Sequence, residues 1–595
     1  MVETLTVNAF VYVDVGQEKA LKPINFSSGS WKHKLCRNAR VKRGGFFGLI
    51  APSFPHLSVI VTIKNIDAVV VGAGFAGMYM LYSLRNQGLS VQGFERGDGV
   101  GGTWYWNRYP GARCDVESME YSYQFDEALQ QEWEWTERYA PQSEILTYAN
   151  HVADRFDLRS DIQFETSVES AEFDEATSRW LVTTSQGETY SAQWCVMATG
   201  CLSSTNLPNF EGLEDFAGDW HHTGLWPKEG VDFSGKRVAV VGTGSSAIQS
   251  IPVIAEQAKT LTVFQRTANF SIPAHNGPLS PKFVEQIKSG YGEFRKINNE
   301  THTGFGGRWT RYDDSIVDAN EQQRKTRFDE KWALGGFHFL NAFADVGASP
   351  ENNKFAADYA KDKIRSIVND PETAELLCPN QVIGCKRLCV DSGYFETFNR
   401  DSVTLVNVKD DPIECITPKG LITGGVEYEF DIIVFATGFD AMTGSLLNID
   451  IKGRKGLPLQ EKWAAGPRTY LGLQTHGFPN MFTISGPGSP SVLTNMVVSI
   501  EQHVNWISRC ISHVRMNQMN YVEAELEAEN DWVDHNNSLS QRTLFPNCNS
   551  WYLGANVPGK PRVFMPYVGG LHAYTTICEE VVHKGYKGFL MQDRA

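Results

Sequence analysis

The chain carries one local pattern twice: an apolar run that leads into a glycine-rich turn and then into a helix. The first copy is "IDAVVVGAGFAGMYMLYSLRNQGLSVQGFER", Ile66 to Arg96. Ala68 to Val71 read as a strand buried on both faces of a parallel sheet. Gly72, Gly74 and Gly77 follow as Gly-x-Gly-x-x-Gly, with Met78, Leu81 and Leu84 at helical spacing and Gly88 as a stop. Such glycines permit a tight turn and a close approach to a pyrophosphate, and the helix N-terminus faces its charge. Glu95 ends the next strand, 23 residues after Gly72, placed to accept hydrogen bonds from ribose hydroxyls.

The second copy is "KRVAVVGTGSSAIQS", Lys236 to Ser250, with Gly242, Gly244 and Ala247 in the glycine positions. Its next strand, "LTVFQRT", puts Arg266 24 residues after Gly242, where the first copy has Glu95. A carboxylate repels a ribose 2′-phosphate and a guanidinium pairs with it. The first site is therefore expected to take a nucleotide with a free ribose diol, such as FAD, and the second to prefer NADPH. Two further apolar strands, "CVMATG" (Cys195 to Gly200) and "DIIVFATGFD" (Asp431 to Asp440), each end in Ala-Thr-Gly and can return the chain to a nucleotide site. The expected fold is α/β, with two Rossmann-like dinucleotide-binding domains.

Composition narrows the class. At 595 residues the chain is too long for one core, and a net charge of -15 disfavours nucleic-acid binding. No apolar run reaches the 18 residues of a membrane span, and no signal segment opens the chain, so a cytoplasmic protein is expected. Eleven scattered cysteines without a CxxC pair suggest reduced thiols and no metal site. Residues 1–63 hold eight Lys or Arg against three Asp or Glu, most within "KHKLCRNARVKR", Lys32 to Arg43. They read as a poorly ordered N-terminal extension.

A disulfide reductase shares this plan but needs a cysteine pair soon after the first fingerprint, where Cys114 stands alone. The block "GGTWYWNRYPGARCD", Gly101 to Asp115, instead resembles the flavin-side signature of the type I Baeyer–Villiger monooxygenases, with Gly102, Trp104, Tyr109, Pro110, Gly111 and Asp115 in register. "FAGDWHHTGLWP" is similar to the same family's FxGxxxHxxxW motif, filled by Phe216, Gly218, His222 and Trp226. Monooxygenases of amines or sulfides usually end that motif in Phe or Tyr. The resemblance runs from about Ile63 to the C-terminus and is nearest to the phenylacetone and steroid monooxygenase branch. "VIGCKRL", "ATGFDAMTG", "GPGSPSVLTNMVVSIEQHVNW" and "SWYLGANVPGKPRVF" all read as that branch does.

The resemblance implies a reaction in which NADPH reduces FAD, O2 forms a 4a-peroxyflavin, and that species converts a ketone to an ester or lactone. Aryl-aliphatic, cyclic or bulky steroid-like ketones are the implied substrates; sulfide or amine oxidation is the alternative, and a redox sensor that merely holds both nucleotides is a third reading. The implied catalytic residues are Arg387, a permanent cation with several donors, and Asp115, which orients it. For FAD the resemblance nominates Gly72, Gly74, Ala76, Gly77, Glu95, Gly102, Thr103, Trp104, Tyr105, Trp106, Asp115, Tyr121, Val168 and Met496. For NADP it nominates Arg113, Cys114, Asp115, the run Gly242, Thr243, Gly244, Ser245, Ser246, Ala247, Ile248 and Gln249, then Arg266, Thr267, Lys386, Arg387 and Trp551.

Phe216, Gly218, His222 and Trp226 form the linker fingerprint, with a structural bend as the alternative for His222. Pro490, Ser491, Val492 and Leu493 are the implied pocket wall, or else a tight loop against the flavin. The implied domains are an FAD domain in two parts, 64–200 and 437–595, the second with pocket and mobile loops. An NADP domain, 201–436, lies between them with a helical insertion at about 278–380. That insertion reads equally as an interaction surface. The chain is expected to act as a monomer.

Overall fold

The computed structural model describes residues 9–15, 18–24 and 61–592. Its first sheet is parallel at the centre, in the order Met481–Thr483, Thr189–Met197, Val61–Val71, Val91–Phe94 and Ile162–Gln163. Ala68, Val69 and Val70 are fully buried, because helices and an antiparallel meander cover both faces. Burying each such valine stabilises the fold by about 1.5–3 kcal/mol.

The second sheet is parallel throughout, in the order Val403–Asn407, Thr260–Gln265, Arg237–Val241, Ile432–Phe435 and Asp219–His222. It too is accompanied by a three-stranded antiparallel meander, Ile413–Thr417, Gly420–Thr423 and Val426–Glu429. The chain is thus α/β with two Rossmann-type units. The second unit is inserted in the first: the chain leaves past Ala198–Gly200, returns past Ala436–Gly438, and then adds the strand Met481–Thr483 to the first sheet.

Between these units lie the helices Pro281–Ser289, Tyr291–Asn299, Glu321–Leu334, Pro350–Ile367 and Pro371–Leu377. They divide their apolar faces among several cores. Ile287, Tyr291 and Phe294 join the first unit's core, Phe328, Ala356 and Ala360 form a core with Ile272 and Leu388, and Ile364 packs on the second unit. At the N-terminus, Ala9–Val15 pairs antiparallel with Glu18–Ile24, and Val11–Val13 runs beside Val61–Ile63. The basic run Lys32 to Arg43, and with it most of 1–63, lies outside the described residues.

One expectation is corrected. Cys385 and Cys548 form a disulfide across 163 residues of sequence, with Cα atoms 6.2 Å apart, so the thiols are not all reduced. Their sequence spacing carries no trace of this pairing; only the docking of two distant loops brings them together.

Candidate active site

The two glycine turns use the same device. Gly72 has φ +104°, and a Cβ there would stand 2.6 Å from the Ala198 carbonyl oxygen; Gly242 has φ +117° and a Cβ would stand 2.5 Å from that of Ala436. Each first glycine is thus required by positive φ and by the Ala-Thr-Gly strand that closes over it. The helices Phe75–Asn86 and Ser245–Gln257 then begin at Gly74 and Gly244, neither with a side-chain cap, which leaves their first N–H groups to a ligand. Above Gly244 a Cβ would meet nothing within 4 Å. This open space over a bare helix end fits a pyrophosphate.

Glu95 is buried, and its carboxylate accepts from Ala73 N–H at 2.9 Å and Gly97 N–H at 2.8 Å. It therefore braces the first glycine turn, and its oxygens keep lone pairs for further donors. Its counterpart Arg266 is exposed, like Thr267. Arg266 has no ion pair or hydrogen bond among the described residues. Lys386 stands near it. Burial, and then repulsion by Arg266, hold the Lys386 ammonium below its usual pKa. Two cations with no anion partner among the described residues suit a phosphate.

Between the units lies a cavity of about 780 Å³. Gly74, Glu95, Thr103, Trp104 and Val168 line it from the first unit, Ser245 and Gln249 from the second, and Asp115, Arg387, Val492 and Trp551 where they meet. Arg387 grips Asp115 with two teeth, Nε to Oδ2 at 2.9 Å and Nη2 to Oδ1 at 2.7 Å, and its Nη1 donates to the Val492 carbonyl at 2.7 Å. Its guanidinium lies 4.8 Å from the Phe337 ring centre. Burial opposes its charge, but the Asp115 carboxylate outweighs it and raises the pKa above the usual range. The cation is permanent, fixed in direction and beside the cavity.

The two units also touch through the 101–115 block. Tyr109 Oη donates to Gln249 Oε1 at 2.8 Å, Gln249 Nε2 donates to the Arg113 carbonyl at 3.0 Å, and a Cβ on Gly111 would stand 2.2 Å from the Gln249 carbonyl oxygen. The FAD side fits its cofactor on two counts. Gly74 and Gly102 close on each other so tightly that a Cβ on Gly102 would stand 2.8 Å from Gly74 Cα. In addition, the buried Ser485 Oγ on the cavity wall has no partner among the described residues.

Comparison with known proteins agrees with this geometry. Residues 69–370 match the family model described as pyridine nucleotide-disulphide oxidoreductase. The acetone monooxygenase (methyl acetate-forming) of Gordonia sp. strain TY-5 is 42% identical over 89% of this chain and 99% of its own length. A phenazine N-monooxygenase of Lysobacter antibioticus is 40% identical over 89% of this chain and 97% of its own. A solved steroid monooxygenase bound to NADP is 50% identical, with a TM-score of 0.85 over 89% of this chain and 100% of that one. The chain belongs to the type I Baeyer–Villiger monooxygenases. It is a flavin-dependent oxidoreductase whose cofactors are FAD and NADP(H).

Of the residues expected at this monooxygenase's site, Gly72, Ala76, Gly102, Trp106, Tyr121, Met496, Arg113 and Cys114 also line the cavity. Others do not. Gly77 lies behind the turn, where a Cβ would stand 1.8 Å from the Gly72 carbonyl oxygen. Tyr105 turns its hydroxyl to Asp98. Gly242, Thr243, Gly244, Ser246, Ala247, Ile248, Arg266, Thr267 and Lys386 lie off the cavity lining, as do Pro490, Ser491 and Leu493. Thr243 Oγ1 donates to the Thr267 carbonyl at 2.8 Å, and Ala247 and Ile248 are fully buried in the second core.

The linker fingerprint is packed inside the second unit. Phe216 and Trp226 enter two different cores, and Gly218 sits where a Cβ would be 2.4 Å from the Asp431 carbonyl oxygen. His222 is buried, accepts from Gly224 N–H at 3.0 Å through Nδ1 and lies 3.3 Å from Thr437 Oγ1 through Nε2. Burial pushes its pKa down to about 4, so it is neutral at pH 7. Next to it, Thr223 Oγ1 meets Ser246 Oγ at 3.1 Å, which ties the motif to the second nucleotide helix.

Sequence reasoning missed Tyr552, Phe337, Ser485 and Leu225. Tyr552 is buried beside Arg387; burial pushes its phenol up to about 12, against the pull of that guanidinium. It follows Trp551 directly, but nothing local in "SWYL" shows which ring turns to the arginine.

Proposed function

We propose that this monooxygenase converts ketones to esters or lactones, with Arg387 stabilising the negative charge that builds up on the carbonyl oxygen as it is attacked. One observation carries the reading. A fixed guanidinium stands where the FAD-side and NADP-side elements meet, held by Asp115 on one edge and the Val492 carbonyl on another. When bound, FAD takes two electrons from NADPH and activates O2. The chain's own residues do the rest. Preorganised donors aimed at developing charge act without reorganisation during the step. Asp115 keeps the guanidinium plane in one orientation through paired hydrogen bonds.

In this reading Gly74, Glu95, Thr103, Trp104, Val168 and Met496 hold FAD. Ser245, Gln249, Arg266, Thr267, Lys386 and Trp551 hold NADPH, with Arg266 and Lys386 on the 2′-phosphate. Val492, buried beside Tyr552 and Met442 in one apolar cluster, forms pocket wall together with its neighbours Pro490, Ser491 and Leu493. Aryl-aliphatic, cyclic and bulky ketones are the substrate class, and the enzyme works as a cytoplasmic monomer, which light scattering checks for the oligomeric part.

The relative named for phenazine N-oxidation keeps one alternative in view, oxidation of an aromatic nitrogen or a sulfide. Trp226 at the end of the linker motif supports the ketone reading instead. The test is a product assay with holoenzyme, NADPH and labelled O2, offered ketones, a thioether and an aromatic N-heterocycle in parallel. Labelled ester or lactone is the expected product. No ester from any ketone, with brisk N- or S-oxidation, would falsify the ketone reading.

A further inference from the structure

Cys385 and Cys548 sit at the junction of two segments that the proposed reaction needs together. Cys385 precedes Lys386 and Arg387 directly, and Cys548 precedes Trp551 and Tyr552 by three and four residues. Trp551 lines the cavity and Tyr552 lies beside Arg387. The loop bearing these aromatics is also held at Tyr552, whose carbonyl accepts from Met565 N–H at 2.9 Å, and again farther along. Asn556 Nδ2 donates to the Phe439 carbonyl at 2.7 Å, and Lys560 donates to the Ala441 carbonyl at 2.7 Å. Before Trp551, the disulfide is the covalent tie, and it reaches the arginine segment itself. Both cysteines are buried, Cys385 at 2% and Cys548 at 9% exposure, and the Cα separation of 6.2 Å lies in the ordinary range for a disulfide.

We propose that Cys385 and Cys548 form a redox-responsive clasp, a positioning pair that holds the Trp551–Tyr552 loop against the Lys386–Arg387 segment and so tightens the hold on NADP(H). The proposal rests on the reading of Trp551 and Lys386 as NADP contacts. Formation is a two-electron oxidation: two thiols join sulfur to sulfur, and hydrogen peroxide takes both electrons and both protons and leaves as two waters. A dithiol reverses it by exchange, its own sulfurs ending as the disulfide. With the clasp closed, the loop is ordered before the nucleotide arrives, and less ordering cost falls on binding. With it open, that cost returns.

The test uses full-length holoenzyme oxidised with peroxide and desalted, or reduced with dithiothreitol and desalted under nitrogen, alongside the variants Cys548→Ser, Cys385→Ser and the two combined. Alkylation in denaturant counts thiols. The oxidised form is expected to label two fewer of the eleven cysteines than the reduced form. NADP+ affinity, read by flavin absorbance, is expected to weaken by at least about fivefold on reduction. Each variant and the double variant should weaken it equally, since one bond is lost in every case, and none should respond to dithiothreitol. The KM for NADPH should rise while kcat at saturation changes less. Equal labelling of both forms, or a dithiothreitol response that survives in Cys548→Ser, overturns the clasp. Ester formation by the reduced enzyme is scored separately, so a failed clasp and a failed ketone reading give different results.

Discussion

In the first nucleotide unit the turn Gly72–Gly77 faces the cavity but is packed tightly against Ala198 and Gly102; in the second, the turn Gly242–Ala247 is open above Gly244. A Cβ on Gly74 would meet Gly102 Cα at 3.2 Å, whereas one on Gly244 would meet nothing. Gly77 packs so close to Gly72 that a methyl group would stand 1.8 Å from its carbonyl oxygen, yet the matching Ala247 carries a methyl group and is fully buried. At the end of the second strand, Glu95 is buried and bonded to two N–H groups, while Arg266 is exposed without a side-chain partner among the described residues. One backbone device thus serves two purposes. The tightly packed site suits a cofactor that stays, and the open site with spare cations suits one that comes and goes.

The harshest way to break this contrast is to exchange the third-position residues. Gly77→Ala puts a methyl group into the Gly72 carbonyl, and a clash of that kind is expected to cost more than about 4 kcal/mol. The FAD-to-protein ratio after purification should fall to near zero. Ala247→Gly should cost only about 1 kcal/mol and leave FAD in place. If both variants retained FAD equally, the turns would not differ as described.

Arg387→Ala removes the cation between the units and leaves Asp115 unpaired. Ester formation at saturating NADPH is expected to drop by about a thousandfold, with FAD content unchanged. Single-turnover product analysis checks it, and near-normal turnover would remove Arg387 from the mechanism.

A milder change sharpens the acid–base half of the comparison. Arg266→Ala should raise the KM for NADPH by about 10- to 100-fold, the loss of about 1.5–3 kcal/mol of charged hydrogen bonding, and leave the KM for NADH within about twofold. A parallel rise for both nucleotides would mean that Arg266 does not read the 2′-phosphate.

The smallest effect is a pH slope from His222, buried in the second unit. Its folded pKa of about 4 lies below the unfolded value near 6.5, so the unfolded chain takes up the proton first as pH falls. Above pH 6.5 the residue contributes no pH dependence; between 6.5 and 4 it destabilises the fold progressively. Reversible denaturation of His222→Asn should show about 1 kcal/mol less stability loss than the parent between pH 7 and 5.5. Identical slopes would show that His222 does not titrate in this window.

Much of this molecule was legible before its fold was seen, for a physical reason. Positive φ, close strand–helix approach and a buried parallel strand each restrict the residue at one position, so Gly72, Gly242, Ala68–Val71 and the Glu95–Arg266 exchange declare themselves locally. The family motifs pointed further, to Arg387 and Asp115, which stand 272 residues apart and do form the two-toothed pair. What the tertiary structure alone decided involves partners without local signature. The Val492 carbonyl on Arg387 is a backbone atom that any residue would supply, and Gln249 meets Tyr109 only because one unit is inserted in the other. Tyr552 comes to lie beside the arginine, and Cys385 finds Cys548 among eleven cysteines, because two loops dock there. Local backbone demands are written in residue type; long-range pairings follow from how the chain closes on itself.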